Sequence, residues 1–170
     1  IAQSMKAAQP APNVTIGDDG KIYVLYQDTV NEQTNIFLKT STDNGKSFSE
    51  PVRVNLLDGN VALDGRVAPT IQLGDDGEVY VTWANSRYEP NMFMGNYRQL
   101  VFTQSFDDGK SFEPSIVIGA EELHSGKYFQ HMSIDGHGGI HMAWLDGPAK
   151  MNSTGYMEKD KSRDRGVRYT

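Results

Sequence analysis

The chain has 170 residues, 16 Lys+Arg against 22 Asp+Glu, a net charge of −6 and no cysteine. The acidic balance excludes a general binder of nucleic-acid backbones, which needs clustered cations. The lack of Cys excludes disulfides, thiolate metal sites and thiol nucleophiles, and no apolar run approaches the roughly 20 residues of a transmembrane helix.

Residues 1–10, rich in Ala, Gln and Pro, read as a linker or N-terminal extension. The sequence opens on Ile1 with no basic-then-apolar leader, so any signal peptide is expected to be gone already. From about residue 11 the chain repeats. Ala11-Pro-Asn-Val-Thr-Ile-Gly-Asp-Asp-Gly-Lys-Ile-Tyr-Val-Leu-Tyr26 returns as Ala68-Pro-Thr-Ile-Gln-Leu-Gly-Asp-Asp-Gly-Glu-Val-Tyr-Val-Thr-Trp83, and more loosely as Met132–Trp144. Each copy predicts two strands around an Asp/Gly turn, at 12–16 and 21–27, 67–73 and 78–84, and 129–134 and 139–145.

Further strands are expected at 34–40 and 50–55, at 99–105 and 113–118, and at 155–161, where the third unit stops short of a fourth. A second motif sits in the gap between the last two strands of a unit. It reads Ser41-Thr-Asp43-Asn-Gly45-Lys-Ser-Phe48, then Ser105-Phe-Asp107-Asp-Gly109-Lys-Ser-Phe112, and loosely Ser162-Arg-Asp164-Arg-Gly166-Val-Arg-Tyr169. Its Ser and Asp suit hydrogen bonds inside a tight turn, and its Gly suits a positive φ. The closing aromatic is placed to pin the turn onto the sheet. Ile22, Val24 and Tyr26 alternate with Tyr23 and Leu25, so this strand is apolar on both faces and needs cover on both sides. Four-stranded units repeating at about 60 residues predict propeller blades. The expected fold is all-β, with blades at about 11–56, 66–119 and 128–170.

The pattern Ser-x-Asp-x-Gly-x-x-aromatic resembles the Asp-box, or bacterial neuraminidase repeat. The chain from about residue 11 to 170 resembles blades of a sialidase-like β-propeller. The resemblance implies a six-bladed ring, of which this chain holds about three blades. The rest would come from further chain or from another copy. It also implies an exported, extracellular or cell-surface protein that hydrolyses or recognises glycans.

Up-and-down topology places the Asp-Asp-Gly turns and the Ser-Asp-Gly corners at one end. The longer connections, about 28–33, 56–66, 85–98, 119–128 and 146–154, fall at the other, where binding is expected. Within them Arg66, Asp64, Arg87 and Glu89 are the candidate catalytic residues, and Tyr88, Arg98, Tyr128 and His131 the candidate substrate-binding residues. The resemblance implies arginines that grip a sugar carboxylate, which guanidinium geometry suits. Gly65-Arg66-Val67-Ala68-Pro69 approaches the family's arginine motif without its aromatic residue.

Each candidate has a plainer reading: solvated arginines, turn-forming Asp64 before Gly65, tyrosines packing loops. His124, His131, His137 and His141 are spread over different strands and turns, so no metal or cofactor is expected. Trp83 and Trp144 align with Tyr26 as core residues. Two function classes stay open: a sialidase-like glycoside hydrolase or glycan binder, and a non-catalytic propeller that docks cell-surface proteins.

Overall fold

The computed structural model describes residues 12–56, 61–63, 67–88, 96–119, 125–151, 157–159 and 167–170. Among them, twelve strands form three four-stranded antiparallel sheets. Blade 1 is β1 (Asn13–Ile16), β2 (Ile22–Val30), β3 (Gln33–Ser41) and β4 (Val52–Arg53), in that spatial order. Blade 2 repeats the order with β5 (Thr70–Leu73), β6 (Val79–Tyr88), β7 (Asn96–Ser105) and β8 (Ile116–Ile118). The architecture is that of partial propeller blades.

Blade 3 departs from this plan. β9 (Ser125–Ile134) pairs with one side of β10 (Ile140–Met151), while β11 (Met157–Lys159) and β12 (Val167–Tyr169) share the other. β11 falls inside the strand expected at 155–161, and β12 adds a second pairing on the same side of β10. Ser162, Asp164 and Gly166 lie outside the described residues, but Tyr169 is a strand residue opposite Ala143. Ser41 and Ser105 face Ile22 and Val79, the first residues of their second strands. The equivalent first residue on β10 is Ile140, and the pairing with β12 runs through Ala143↔Tyr169 to Met142 and Thr170, so Tyr169 lies within the ladder.

Side-chain alternation builds the core between blades. On β2, Tyr23 and Leu25 turn toward blade 2 and join Ile36, Leu38 and Val54 against Ile71, Val79, Val81, Trp83 and Val101. The other face of blade 2 presents Tyr80, Leu100 and Phe102 to Met132, Met142 and Trp144 of blade 3. Each such burial is worth about 1.5–3 kcal/mol per large side chain. Both predicted core tryptophans are in these clusters.

The second strands run further than expected. The loop anticipated at 28–33 is a two-residue turn, with Asn31 and Glu32 at φ 51° and 63°. Val30 pairs with Gln33, and Thr29 Oγ1 meets Thr34 Oγ1 at 2.9 Å. Two left-handed residues match the twist of the flanking strands, so the ladder continues to the tip. Likewise β6 reaches Tyr88, β7 begins at Asn96, β9 begins at Ser125 and β10 reaches Met151. Among the described residues, the expected loops at 28–33, 85–98, 119–128 and 146–154 are taken up largely by extensions of these strands.

Candidate functional site

The turn end of the blades is built from hydrogen-bonded corners. Gly17 N–H donates to Lys21 O at 2.9 Å, Gly74 N–H to Glu78 O at 2.9 Å and Asp135 N–H to Gly139 O at 3.0 Å. In the first Ser-Asp-Gly corner, Ser41 Oγ donates to Asp43 Oδ1 at 2.8 Å and accepts from Gly45 N–H at 2.9 Å. Asp43 also accepts from the Ser47 amide at 2.9 Å and hydroxyl at 2.6 Å. Ser105, Asp107, Gly109 and Ser111 reproduce the arrangement. The Ser47 donors, then Ser41, hold the Asp43 carboxyl down to about 2, and Ser111 and Ser105 do the same for Asp107. These carboxylates are occupied in holding the turn.

A cleft of about 620 Å³ opens at this end between blades 1 and 2, lined by Asp18, Asp19, Asp75, Glu78 and Asp108 among others. Asp108 is taken up by blade 1: Lys21 Nζ and Tyr23 OH both donate to its carboxylate. The cleft is the seam between two blades clasped at that point.

The opposite end carries the predicted binding residues. Arg66, Asp64 and Glu89 lie outside the described residues. Arg87 and Tyr88 end β6, paired in the ladder with Tyr97 and Asn96. Arg98 and Ser86 face one another across β6 and β7, and Arg98 Nη1 donates to Ser86 Oγ at 3.1 Å. Both continue the row of Leu100 and Phe102, so they border the gap between blades 2 and 3. Tyr128 packs against the buried cluster of Ala62, Val67 and Ala84. Gly126 makes room for its phenol, since a Cβ there would lie 2.6 Å from the hydroxyl.

His131 goes elsewhere. It is exposed, opposite Ala143 on the outer face of blade 3. A bulge separates it from Tyr128: the ladder passes from Ala143↔His131 to Leu145↔Tyr128, with Phe129 at φ 53°. One extra residue resets the alternation, so register alone sets both opposite one row of β10, Ala143 and Leu145; Tyr128 nonetheless packs on the Ala62, Val67 and Ala84 cluster while His131 stays exposed.

The same gap holds residues that the sequence reading did not select. Asp146 is 1% exposed and stands opposite the buried Lys127. Gly119, at φ 62°, lies against Lys127 and Trp144: a Cβ there would be 3.0 Å from Lys127 Cε and 3.6 Å from the Trp144 ring. Gln130 Nε2 donates to Ala68 O at 2.8 Å, tying β9 to blade 2. In blade 2, Trp83 Nε1 donates to Asn85 Oδ1 at 2.8 Å. Trp144 and Asp146 hold the equivalent positions in blade 3, where Trp144 Nε1 has no hydrogen-bond partner among the described residues. An acidic residue continuing the buried row Met142, Trp144 was the available signal. Blade 3 has a carboxylate where blade 2 has an amide.

Among the described residues no group of three or more His, Asp or Glu is placed to hold a metal ion, and no helix is long and apolar enough to cross a membrane. No protein-family model matches the sequence, and no curated protein matches it significantly. Solved structures do. A polysaccharide lyase of the ulvan-lyase type, bound to a -[GlcA(1-4)Rha3S]- oligosaccharide, matches with a TM-score of 0.61 at 15% identity, over 93% of this chain and 40% of that one. An α-L-arabinanase of Penicillium chrysogenum, complexed with arabinobiose, matches with a TM-score of 0.56 at 14% identity, over 95% and 49%. The chain thus spans less than half the length of either structure. At this identity the likeness is one of fold, and the fold is the β-propeller.

Proposed function

We propose that the chain is part of a carbohydrate-active β-propeller that takes anionic glycans at the end away from the Ser-Asp-Gly corners. The observation that carries this reading is the polar group in the gap between blades 2 and 3. Lys127 and Asp146 are buried on blade 3, and Arg98, half-buried and bonded to Ser86, borders the same gap from blade 2; buried titratable groups beside a gap are candidates for function. A guanidinium held by a hydroxyl suits a sugar carboxylate. The glycan chemistry named for both similar structures supports the class, and the uronic acid named for the first supports the charge.

Within that class the Asp-box resemblance favours an exported exo-α-sialidase-like hydrolase. Arg66, Asp64, Arg87 and Glu89 are its catalytic candidates, and Tyr88, Arg98 and Tyr128 its substrate-binding candidates; His131, on the outer face of blade 3, would meet a glycan only beyond that gap. A second reading, a propeller that binds glycans or cell-surface proteins without cleaving them, is favoured by one feature. Asp146 lies buried opposite a lysine, a poor setting for an acid/base group that must exchange protons with substrate.

The test is binding and turnover of a sialoside, a polyuronate, an arabinan and a xylan by the same protein. Binding and cleavage of the sialoside or polyuronate support the first reading, and binding without cleavage selects the second. Preference for the neutral glycans overturns the anionic specificity. No binding to any of the four overturns the glycan reading itself.

A further inference from the structure

Two sheet faces of this chain are open, and they are of opposite kind. The first belongs to blade 1. Val14, Ile16, Ile22, Val24, Tyr26 and Phe37 share it, since Val14 pairs with Val24, Ile16 with Ile22 and Tyr26 with Phe37. The Tyr26 and Phe37 rings stack at 5.8 Å. Yet Val14 is 56% exposed and Ile16 63%. Ile22, Val24 and Tyr26 align with Val79, Val81 and Trp83, which blade 2 buries against blade 1, and with Ile140, Met142 and Trp144, which blade 3 turns toward blade 2. Twice in this chain that row is covered by a neighbouring blade. On blade 1 it is bare.

The second open face is on blade 3. His141, Ala143 and Leu145 align with Tyr23, Leu25 and Gln27, the row that blade 1 turns into blade 2. Tyr169 joins them opposite Ala143, stacks on His141 at 5.7 Å and is 68% exposed. The corner residues show the same asymmetry. Phe112, closing the corner of blade 2, packs into the core between blades 1 and 2. Its equivalent Phe48 is 44% exposed.

We propose that the open face of blade 1 is an interface for the open face of blade 3 of a second copy of this chain, so that two copies close one ring. The occupant follows from continuity with the two interfaces already built. Each joins the row aligned with Tyr23 on one blade to the row aligned with Ile22 on the next, and among the described residues only the Ile22 row of blade 1 and the His141 row of blade 3 lack a partner. A head-to-tail contact closes when the rotation per unit allows. Two three-bladed copies give six blades, within the roughly four to eight that propellers use. In the closed ring Asn44 takes the place of Asp108: it follows the corner aspartate and shares its left-handed backbone, φ 59° against 66°. It faces His141, which takes the place of Tyr23 and whose two ring nitrogens are held by Tyr169 and Asp135, so this contact packs against the imidazole without repeating the hydrogen bond of the Tyr23–Asp108 clasp.

The experiment is the solution mass of the 170-residue chain at micromolar concentration, by light scattering on a sizing column. The expected mass is about 38 kDa, twice 18.9 kDa. Ile16→Lys on one open face and Ala143→Lys on the other should each reduce it to the monomer, with the circular dichroism of β-sheet retained. A monomeric parent chain overturns the proposal and leaves the faces to a different partner. Loss of the dimer with Ile16→Lys but not with Ala143→Lys overturns it in favour of back-to-back packing of two blade 1 faces. A mass that keeps growing with concentration overturns closure in favour of open chains of copies.

Discussion

The Tyr23 hydroxyl of blade 1 donates a hydrogen bond to the Asp108 carboxylate of blade 2, 85 residues away. Lys21 Nζ donates to the other oxygen. Burial alone would raise the Asp108 pKa, but the Lys21 and Tyr23 hydrogen bonds and the Lys21 charge outweigh it and leave the carboxyl below its usual range. Burial, then the bond to Asp108, pushes the Tyr23 phenol up. The clasp spans two blades, so it reports on their docking.

Tyr23→Phe is expected to destabilise the chain by about 1 kcal/mol, the usual net value of one such bond with partial exposure. The urea midpoint should fall with an unchanged slope. A depressed folded pKa contributes stability above the ordinary carboxylate value and loses it as pH falls through the folded value. Parent and variant should therefore converge in acid. A midpoint difference that persists undiminished at about pH 2 would remove the electrostatic account.

Asp43 and Asp107 should dominate acid sensitivity. Both carboxyls sit at about 2 because Ser47 and Ser111 donate to them twice each. Their support is complete above the ordinary value near 4 and is withdrawn between about 4 and 2. The double variant Asp43→Asn, Asp107→Asn is expected to be less stable at pH 7 and to show a flatter loss of stability over that interval. Urea midpoints at pH 7, 4 and 2.5 check it; parallel curves for parent and variant would show that other groups carry the acid response.

Much of this was written in the sequence. The Asp-Asp-Gly and Ser-x-Asp-x-Gly repeats are local devices whose residues bond within five positions, so spacing alone locates blades 1 and 2 and their corners. Four matching letters at 162–169 carry no register, and pairing with β10 is what makes Tyr169 a strand residue. The binding end was harder still. Thr29, Asn31 and Gln33, within 28–33, read as loop, yet cross-strand pairing and a two-residue turn hold them as a ribbon. Asp146 and Lys127 became notable only once β9 and β10 set them opposite each other. The bulge at Phe129, which sets the register of His131 and Tyr128, has no sequence signature.

Lys127 and Asp146 are expected to depend on each other. Removing one member of a buried opposite-charge pair leaves a charge in a low dielectric, a loss of about 3–5 kcal/mol. Lys127→Met and Asp146→Asn should each be strongly destabilising. The double variant should be less so than their sum, with a coupling energy above about 1 kcal/mol. Additive losses in a denaturation cycle would show that the two side chains are held by other partners.

Arg98→Lys keeps the charge and gives up the planar fork. Stability should change by less than about 1 kcal/mol, because the bond to Ser86 Oγ is a single partly buried contact. Affinity for the sialoside or polyuronate should fall about tenfold or more if the guanidinium grips a carboxylate. Equal affinity for parent and variant, with the glycan bound by both, would remove Arg98 from the site.

Gly45 and Gly109 hold the same place in successive corners, both at φ 80°. An alanine at either must adopt a left-handed backbone, which costs about 1–2 kcal/mol. Their surroundings differ. A Cβ at Gly109 would come within 2.5 Å of Leu38 Cδ2, and Leu38 is wholly buried between blades 1 and 2. At Gly45 the nearest atom is Ile22 Cδ1 at 3.7 Å, on the open face of blade 1. Overpacking adds about 1–3 kcal/mol at Gly109 and nothing at Gly45. Gly109→Ala should therefore be the more damaging by that margin in chemical denaturation of the monomer. If a second copy covers blade 1, the two variants should draw closer in the dimer, because Gly45 then meets a neighbour as Gly109 does. Equal losses in the monomer would show that backbone strain alone sets the cost and that Leu38 yields.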